Sequence, residues 1–131
     1  MSATDEVELR IGATLTNLPI IRSLAASIAM RADFDLDSIA DLKLAVDEAC
    51  STLITKAAPG SALGCCFTVA GDEIRFTVTV AAASGDAPDT SSFGWQVLTT
   101  LTDDASAWVE GNGQPGHHQA HIELTKRRIA G

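Results

Sequence analysis

Apolar and polar residues alternate along residues 6–14, close to the start of the chain. The odd-numbered positions carry the apolar residues Val7, Leu9, Ile11 and Ala13. A period of two predicts a strand that buries one face. Beyond residue 14 the apolar spacing lengthens to three and four residues, which is typical of an amphipathic helix. Thr16 or Asn17 is expected to cap this helix, with Pro19 in its first turn, where the missing N–H costs little.

This first helix has two faces that differ in composition. The predicted inner stripe, which would pack on the core, consists of Ile20, Ile21, Leu24 and Ile28. The predicted outer face contains Arg22, Ala25, Ala26 and Ala29. Exposed helix faces without a partner usually carry more Glu, Lys and Gln. The small and mostly uncharged outer face therefore favours contact with another protein.

A second helix is predicted to begin at Ser38 and to run to about residue 57. Ser38 and Asp41 fit a capping box at its start, which would satisfy two of the free backbone amides there. Pro59 and Gly60 follow its end and act as helix breakers. The predicted core stripe of this helix is Ile39, Leu42, Val46, Ala49 and Leu53.

Four strands and a third helix are predicted in the second half of the chain. The strands are expected at residues 62–70, 73–82, 105–110 and 118–126. The first two form a hairpin that turns at Gly71 and Asp72. A stretch rich in Gly, Pro, Ser and Thr, residues 83–92, is predicted to be a loop that leads to a helix at residues 93–102.

The resulting order β-α-α-β-β-α-β-β predicts an α/β fold of the two-layer α+β sandwich kind. Strands joined by hairpins give a mostly antiparallel sheet, and three amphipathic helices are expected to cover one of its faces. The sequence contains no internal repeat and no long linker. We therefore expect a single domain over residues 1–131.

Composition and charge narrow the classes of partner. The chain has 131 residues, of which 46% are hydrophobic and 20% charged, a globular balance. Its net charge of -8 disfavours direct binding to nucleic acid or to anionic membranes and suits a basic protein surface. No apolar run approaches the length of about 18 residues that a membrane span needs. An acidic start without an apolar segment and three unpaired cysteines favour a cytoplasmic location.

Three histidines, His117, His118 and His121, are the only cluster that suggests a metal site. In a strand His117 and His121 would lie about 13 Å apart along the chain. No cysteine or carboxylate cluster nearby completes a coordination shell. We therefore predict no metal site at these histidines.

The second helix contains the segment Asp-Leu-Lys-Leu-Ala-Val-Asp-Glu-Ala-Cys at residues 41–50. This segment resembles the N-box of the GHKL superfamily, which has the Bergerat fold, in the form found in RsbW-type anti-sigma factors. The resemblance places Glu48 at the position of the general base in the serine kinases of that family. It places Thr52 where those kinases have the asparagine that holds Mg²⁺. Residues four apart stack on one helical face, which agrees with this spacing.

Two further motifs of the family bind ATP, and here they are degenerate. Ser92 and Gly94 stand where the G2 box has its two glycines. Ala82 stands where the G1 box has the aspartate that reads adenine, and the loop before the third helix is shorter than the kinases' lid. The resemblance implies ATP and Mg²⁺ as family cofactors, but these positions predict a vestigial site. No cofactor is therefore assigned, and a non-catalytic binder is favoured over an enzyme.

The resemblance implies an anti-sigma factor that sequesters an alternative sigma factor of the stress or sporulation type. It implies release by an anti-anti-sigma protein, homodimerisation, and contact with the sigma factor through Arg22. The neighbouring Ala25, Ala26 and Ala29 are predicted to share that contact surface. The alternative is an active ATP-dependent serine kinase that phosphorylates its anti-anti-sigma partner, with Glu48 as general base. A general α/β interaction module is a third interpretation.

Overall fold

A computed structural model describes residues 5–111 and 118–129 of the chain. The elements are β1 (Asp5–Gly12), α1 (Leu18–Arg31), α2 (Leu36–Lys56), β2 (Ala62–Ala70), β3 (Glu73–Ala82), α3 (Phe93–Leu101), β4 (Asp104–Gly111) and β5 (His118–Arg127). A short 3-10 turn, Leu15–Asn17, joins β1 to α1. The predicted element order is confirmed. Most of the turn expected between the last two strands lies outside the described residues, as does His117.

The five strands form one antiparallel sheet in the order β1-β2-β3-β5-β4. The hairpin of β2 and β3 has the predicted bounds, with Phe67 opposite Phe76. Alternate residues of the central strand β3 are buried, namely Ile74, Phe76, Val78, Val80 and Ala82. The intervening residues are more exposed, so the helices cover one face of the sheet and the other face is open. The predicted α/β sandwich is confirmed.

The long helix α2 packs against β3, β5 and both other helices. Its predicted core stripe is confirmed, because Ile39, Leu42, Val46, Ala49 and Leu53 are all buried. The predicted capping box is wrong. The Oδ2 atom of Asp35 accepts the Ser38 amide at 3.2 Å and starts the helix at Leu36. Asp41 instead forms an ion pair with Lys126, at 3.5 Å.

The face assigned to α1 from the sequence is also wrong in part. Ala25 and Ala29 were predicted on the outer face, but both are completely buried. Ile20 was predicted to face the core, but it is 54% exposed. The buried side of α1 consists of Ile21, Ala25, Ile28 and Ala29, and it belongs to the same core as α2. Ala25 and Ala29 are therefore core residues and offer no surface to a partner, whereas Arg22 and Ala26 remain at the surface, half-buried.

None of the helices within residues 5–111 and 118–129 is long and apolar enough to cross a membrane.

Candidate functional site

Two segments that are far apart in the sequence meet where α2 passes the start of α3. The carboxylate of Glu48 lies against Gly94, so a Cβ atom at position 94 would come 2.7 Å from Glu48 Oε2 and 3.0 Å from its Cδ. Contacts this short do not occur between real side chains and a Cβ. Only glycine accepts the carboxylate in this position. The structure therefore brings together the residues that resemble the N-box and the G2 box.

Thr52 joins Glu48 one helical turn further along α2. Its hydroxyl donates a hydrogen bond to Glu48 Oε2 at 3.3 Å, and both side chains are half-buried. The expected placement of the two residues on one helical face is confirmed. Because the Thr52 hydroxyl proton is directed to Glu48, this pair forms a local polar contact within α2.

Ser92 begins α3 as its N-cap. Its Oγ accepts a hydrogen bond from the Trp95 amide at 3.1 Å, which satisfies one of the free donors of the first turn. Ser92 therefore has a structural role at the position where the family has a glycine. Gly94, two residues later, is the point at which α3 meets the Glu48 carboxylate.

Ala82 ends the central strand β3 and is 2% exposed. It pairs with His118 of β5 on one side and forms an isolated bridge with Ala57 on the other. Two further main-chain hydrogen bonds run between these segments, from the Ala58 amide to the Ala81 carbonyl at 2.8 Å and from the Ala83 amide to the Lys56 carbonyl at 3.0 Å. The end of α2 is thus fixed to the end of β3.

The residues present do not fit Mg²⁺ and ATP bound in the family manner. An adenine amino group needs an acceptor, but the buried methyl group of Ala82 offers none. A magnesium ion is normally held by carboxylate oxygens together with phosphate oxygens. Five positions are marked by the resemblance, and of these only Glu48 and Gly94 keep the residue type that the family has. The Thr52 hydroxyl donates to Glu48, Ser92 caps α3, and Ala82 has no polar side-chain atom.

Arg22 is tied to the N-box helix. Its Nη1 atom donates to Asp47 Oδ1 at 3.1 Å, and both side chains are partly exposed. Asp47 directly precedes Glu48, so the ion pair links α1 to the segment that carries the general-base position. Sequence reasoning missed Asp47, because nothing in a single sequence pairs residues 25 positions apart.

The histidines of β5 are held by protein contacts. His121 Nδ1 lies 2.8 Å from the Thr79 hydroxyl, and its ring stacks on Trp108 at a centroid distance of 4.9 Å. A Cβ atom added at Gly85 would come 3.1 Å from His118 Cε1, so the His118 ring lies beside this glycine. Elsewhere in the described part of the chain, ligand atoms of Glu6, Glu8 and Cys66 lie within 4.8 Å of one another on the open face of the sheet.

Two of the three cysteines are core residues. Cys50 of α2 and Cys65 of β2 are both buried. The adjacent Cys65 thiol, together with burial, holds the pKa of the Cys50 thiol well above its usual value. Burial also raises the pKa of Cys66, which is half-buried on the open face. Cys50 and Cys66 are therefore neutral thiols near pH 7.

Curated relatives match the chain over different lengths. It is 39% identical over 126 residues to the anti-sigma-F factor RsbW of Mycobacterium tuberculosis, in two strains, covering 95% of this chain and 74% of the relative. A shorter match, 35% identical over 57 residues, covers 44% of this chain and 36% of the serine-protein kinase RsbW of Bacillus cereus. No family model matches the chain.

A solved structure shows the same fold. The crystal structure of the RsbU and RsbW domains of Rv1364c from Mycobacterium tuberculosis superposes with a TM-score of 0.72 over 97% of this chain, at 17% identity. The chain spans 33% of that longer protein. At this identity the superposition demonstrates the fold, while the 39% identity over nearly the whole chain demonstrates the family. The chain belongs to the RsbW family of anti-sigma factors.

Proposed function

We propose that the protein sequesters an alternative sigma factor of the stress or sporulation type and keeps it from RNA polymerase. The observation that carries this function is the identity of 39% over 95% of the chain with relatives named anti-sigma-F factor. The net charge of -8 supports it, because sigma factors carry basic surfaces that meet DNA. Sequestration of this kind takes place in the cytoplasm, where transcription occurs.

Release and self-association complete the proposal. An anti-anti-sigma protein competes for a surface that overlaps the sigma site and so frees the sigma factor. Two copies of the chain associate, and the position of β1 at one edge of the sheet supports this. The free side of an edge strand presents backbone groups that a second strand can pair. The proposed release depends on the family alone. The proposed self-association depends on the family and on the position of β1 at the edge of the sheet.

A binding experiment with purified sigma factors tests the function. The protein is titrated with each alternative sigma factor of its host, with the housekeeping sigma factor as control, and inhibition of transcription from matching promoters is measured in parallel. We expect one alternative sigma factor to bind in the nanomolar to micromolar range, which corresponds to about −12 to −8 kcal/mol. Binding of none of them, or equal binding of the housekeeping factor, would refute the proposal.

A serine kinase activity toward the anti-anti-sigma partner is the second candidate. It is favoured by Glu48, which keeps the general-base carboxylate, and by the partial match to a relative named serine-protein kinase. Incubation with the partner, ATP and Mg²⁺, followed by mass spectrometry of the partner's serines, distinguishes the two. Phosphorylation that Glu48→Gln abolishes would establish the kinase. We expect none, because Ala82 and Thr52 do not supply the nucleotide contacts.

A further inference from the structure

The outward face of α2 carries exposed apolar side chains in a regular row. Leu36 is 83% exposed and Leu44 57% exposed, and the exposed Ala40 lies midway between them. Residues four apart lie on one side of a helix. These three therefore form a continuous apolar ridge on the part of α2 that faces away from the sheet. Large exposed apolar side chains that cluster in this way mark contact surfaces in soluble proteins.

Helix α1 extends this ridge into a wider surface. The connection between the helices, residues 32–35, is short, so α1 and α2 run antiparallel. The ion pair between Arg22 and Asp47 shows that these two residues lie level with each other on the two helices. Counting one helical turn away from that pair along each helix, Ala26 on α1 comes level with the half-buried Lys43 and its neighbour Leu44 on α2. One turn further, Met30 comes level with Ile39 and Ala40. Met30 is 57% exposed and Ala26 is half-buried.

The five residues Ala26, Met30, Leu36, Ala40 and Leu44 are called the seam surface. It differs from the outer face predicted for α1, because Ala25 and Ala29 are buried and two leucines of α2 take their place. Ala26 and Ala40 are the small side chains of this surface, and Met30, Leu36 and Leu44 are its large exposed ones. This relief fits a helix laid along the seam, which inserts its own apolar residues between these side chains.

A row of carboxylates borders the seam surface on the side away from α1. Asp37, Asp41 and Glu48 lie on that flank of α2 at helical spacing, and Asp37 is exposed. Asp41 forms an ion pair with Lys126 at 3.5 Å, and its side chain remains partly exposed to solvent. An apolar ridge beside an acidic row is complementary to a helix with apolar residues on one face and Lys or Arg on the next.

We propose that the seam surface binds a basic amphipathic helix of the sigma factor. This inference rests on the proposed function and names the part of the chain that performs it. The charge distribution favours this occupant over a second copy of the chain. Each copy carries a net charge of -8, and a two-fold contact through the seam would set one acidic row near the other.

Substitution of Leu44 and Leu36 tests the seam surface directly. Leu44→Glu and Leu36→Glu put a carboxylate into the apolar ridge, and each is expected to weaken sigma binding about tenfold or more. The matched control is Ile20→Glu, since Ile20 is 54% exposed and lies two residues before Arg22, on the opposite side of α1 from this partner of α2. The affinity of this variant for the sigma factor is expected to stay within about twofold of that of the unsubstituted protein. Leu44→Ser serves as a second variant if the glutamate lowers the melting temperature.

The acidic row gives an independent readout. Asp37→Lys is expected to slow association with the sigma factor and to reduce its dependence on salt, with little change in dissociation. Asp72→Lys, in the turn between β2 and β3, is the control and leaves the rate within about twofold. An equal decrease of the association rate in both lysine variants would mean that the total charge of the protein, and not the seam surface, governs association.

The outcomes separate the two proposals. If the unsubstituted protein binds no sigma factor, the proposed function fails. If it binds but Leu36→Glu and Leu44→Glu bind equally well, the function stands and the seam inference is wrong. If these variants retain sigma binding but convert a dimer to a monomer in light scattering, the seam is the contact between copies instead.

Discussion

The carboxylate of Glu48 lies so close to Gly94 that a methyl group at position 94 would come 2.7 Å from Glu48 Oε2. Glycine at this position is therefore a condition for the present conformation of Glu48. Since the carboxylate is the flexible end of its side chain, a larger residue at position 94 would displace it and break its hydrogen bond with Thr52.

A double-mutant cycle measures this contact. Gly94→Ala brings a better helix former, worth up to about 1 kcal/mol, but it also forces Glu48 away. In the Glu48→Ala background only the helical gain remains. We expect Gly94→Ala to raise the free energy of unfolding in that background and to lower it or leave it unchanged otherwise, with a coupling of at least about 0.5 kcal/mol. Urea denaturation measures both. Simple additivity would show that the two residues do not touch.

Nucleotide affinity is expected to be weak or absent. Ala82 offers adenine no hydrogen bond, and the Thr52 hydroxyl is directed to Glu48. Calorimetric titration with ATP and Mg²⁺ should give no saturable heat at concentrations of about tens of micromolar, equivalent to binding weaker than roughly −6 kcal/mol. Thr52→Asn, which restores the family's amide, should not rescue binding while Ala82 remains. A tight, magnesium-dependent site would contradict the degenerate pocket.

Substitution of the adjacent residues Leu53 and Thr52 of α2 should lower the free energy of unfolding by very different amounts. Leu53 is completely buried between α2 and the sheet, so Leu53→Ala should lower the free energy of unfolding by about 2–5 kcal/mol. Thr52→Ala removes one half-buried hydrogen bond and should cost at most about 1.5 kcal/mol. Chemical denaturation measures the free energy of unfolding of both variants. The reverse order would mean that α2 presents a different face to the core.

The start of α2 should respond to acid through Asp35. Hydrogen bonds from Ser38 hold the pKa of this exposed carboxyl below its usual value of 3.8. The ionised cap thus contributes stability that is complete above pH 3.8 and is lost as the pH falls through the lower folded pKa. Asp35→Asn caps without titrating. The stability advantage of Asp35 over this variant should disappear in acid; an advantage that grew on acidification would contradict the assignment.

Arg22 is expected to contribute to sigma binding at the end of the seam. Arg22→Glu should weaken the complex by about 1 kcal/mol or more, the usual threshold for an interface residue that matters. Ala26→Lys should weaken it by steric intrusion into the seam. The ion pair with Asp47 is partly exposed, so its loss should cost the fold at most about 1 kcal/mol. Unchanged affinity in both variants, with intact melting curves, would remove α1 from the interface.

The sequence predicted the elements with strong periodicity and failed where periodicity was weak. Helix α2 has apolar residues three and four positions apart with charged residues between them. Its core stripe therefore followed from this spacing alone. Helix α1 has only Arg22 and Arg31 as charged residues and small residues on all sides, which leaves its rotation undefined. The predicted cap of α2 at Ser38 is wrong because Asp35, three residues earlier, accepts the Ser38 amide and starts the helix.

The candidate site depended on contacts between distant segments. That Glu48 and Thr52 share a helical face followed from their spacing, but no local pattern indicates that Gly94 lies against Glu48. The resemblance to RsbW-type proteins suggested that these residues belong to one site. The pairing of Arg22 with Asp47 had no signal in a single sequence, because it depends on how two helices pack.

The junction of α2 with β3 has a mechanical consequence. The Ala57–Ala82 bridge and the two main-chain hydrogen bonds beside it fasten the last turn of the helix to the root of the loop at residues 83–92. The end of α2 and Ala83, the first residue of the loop, are therefore connected through main-chain hydrogen bonds. We expect a displacement of the end of α2 to displace the start of this loop as well, because these hydrogen bonds would otherwise be broken.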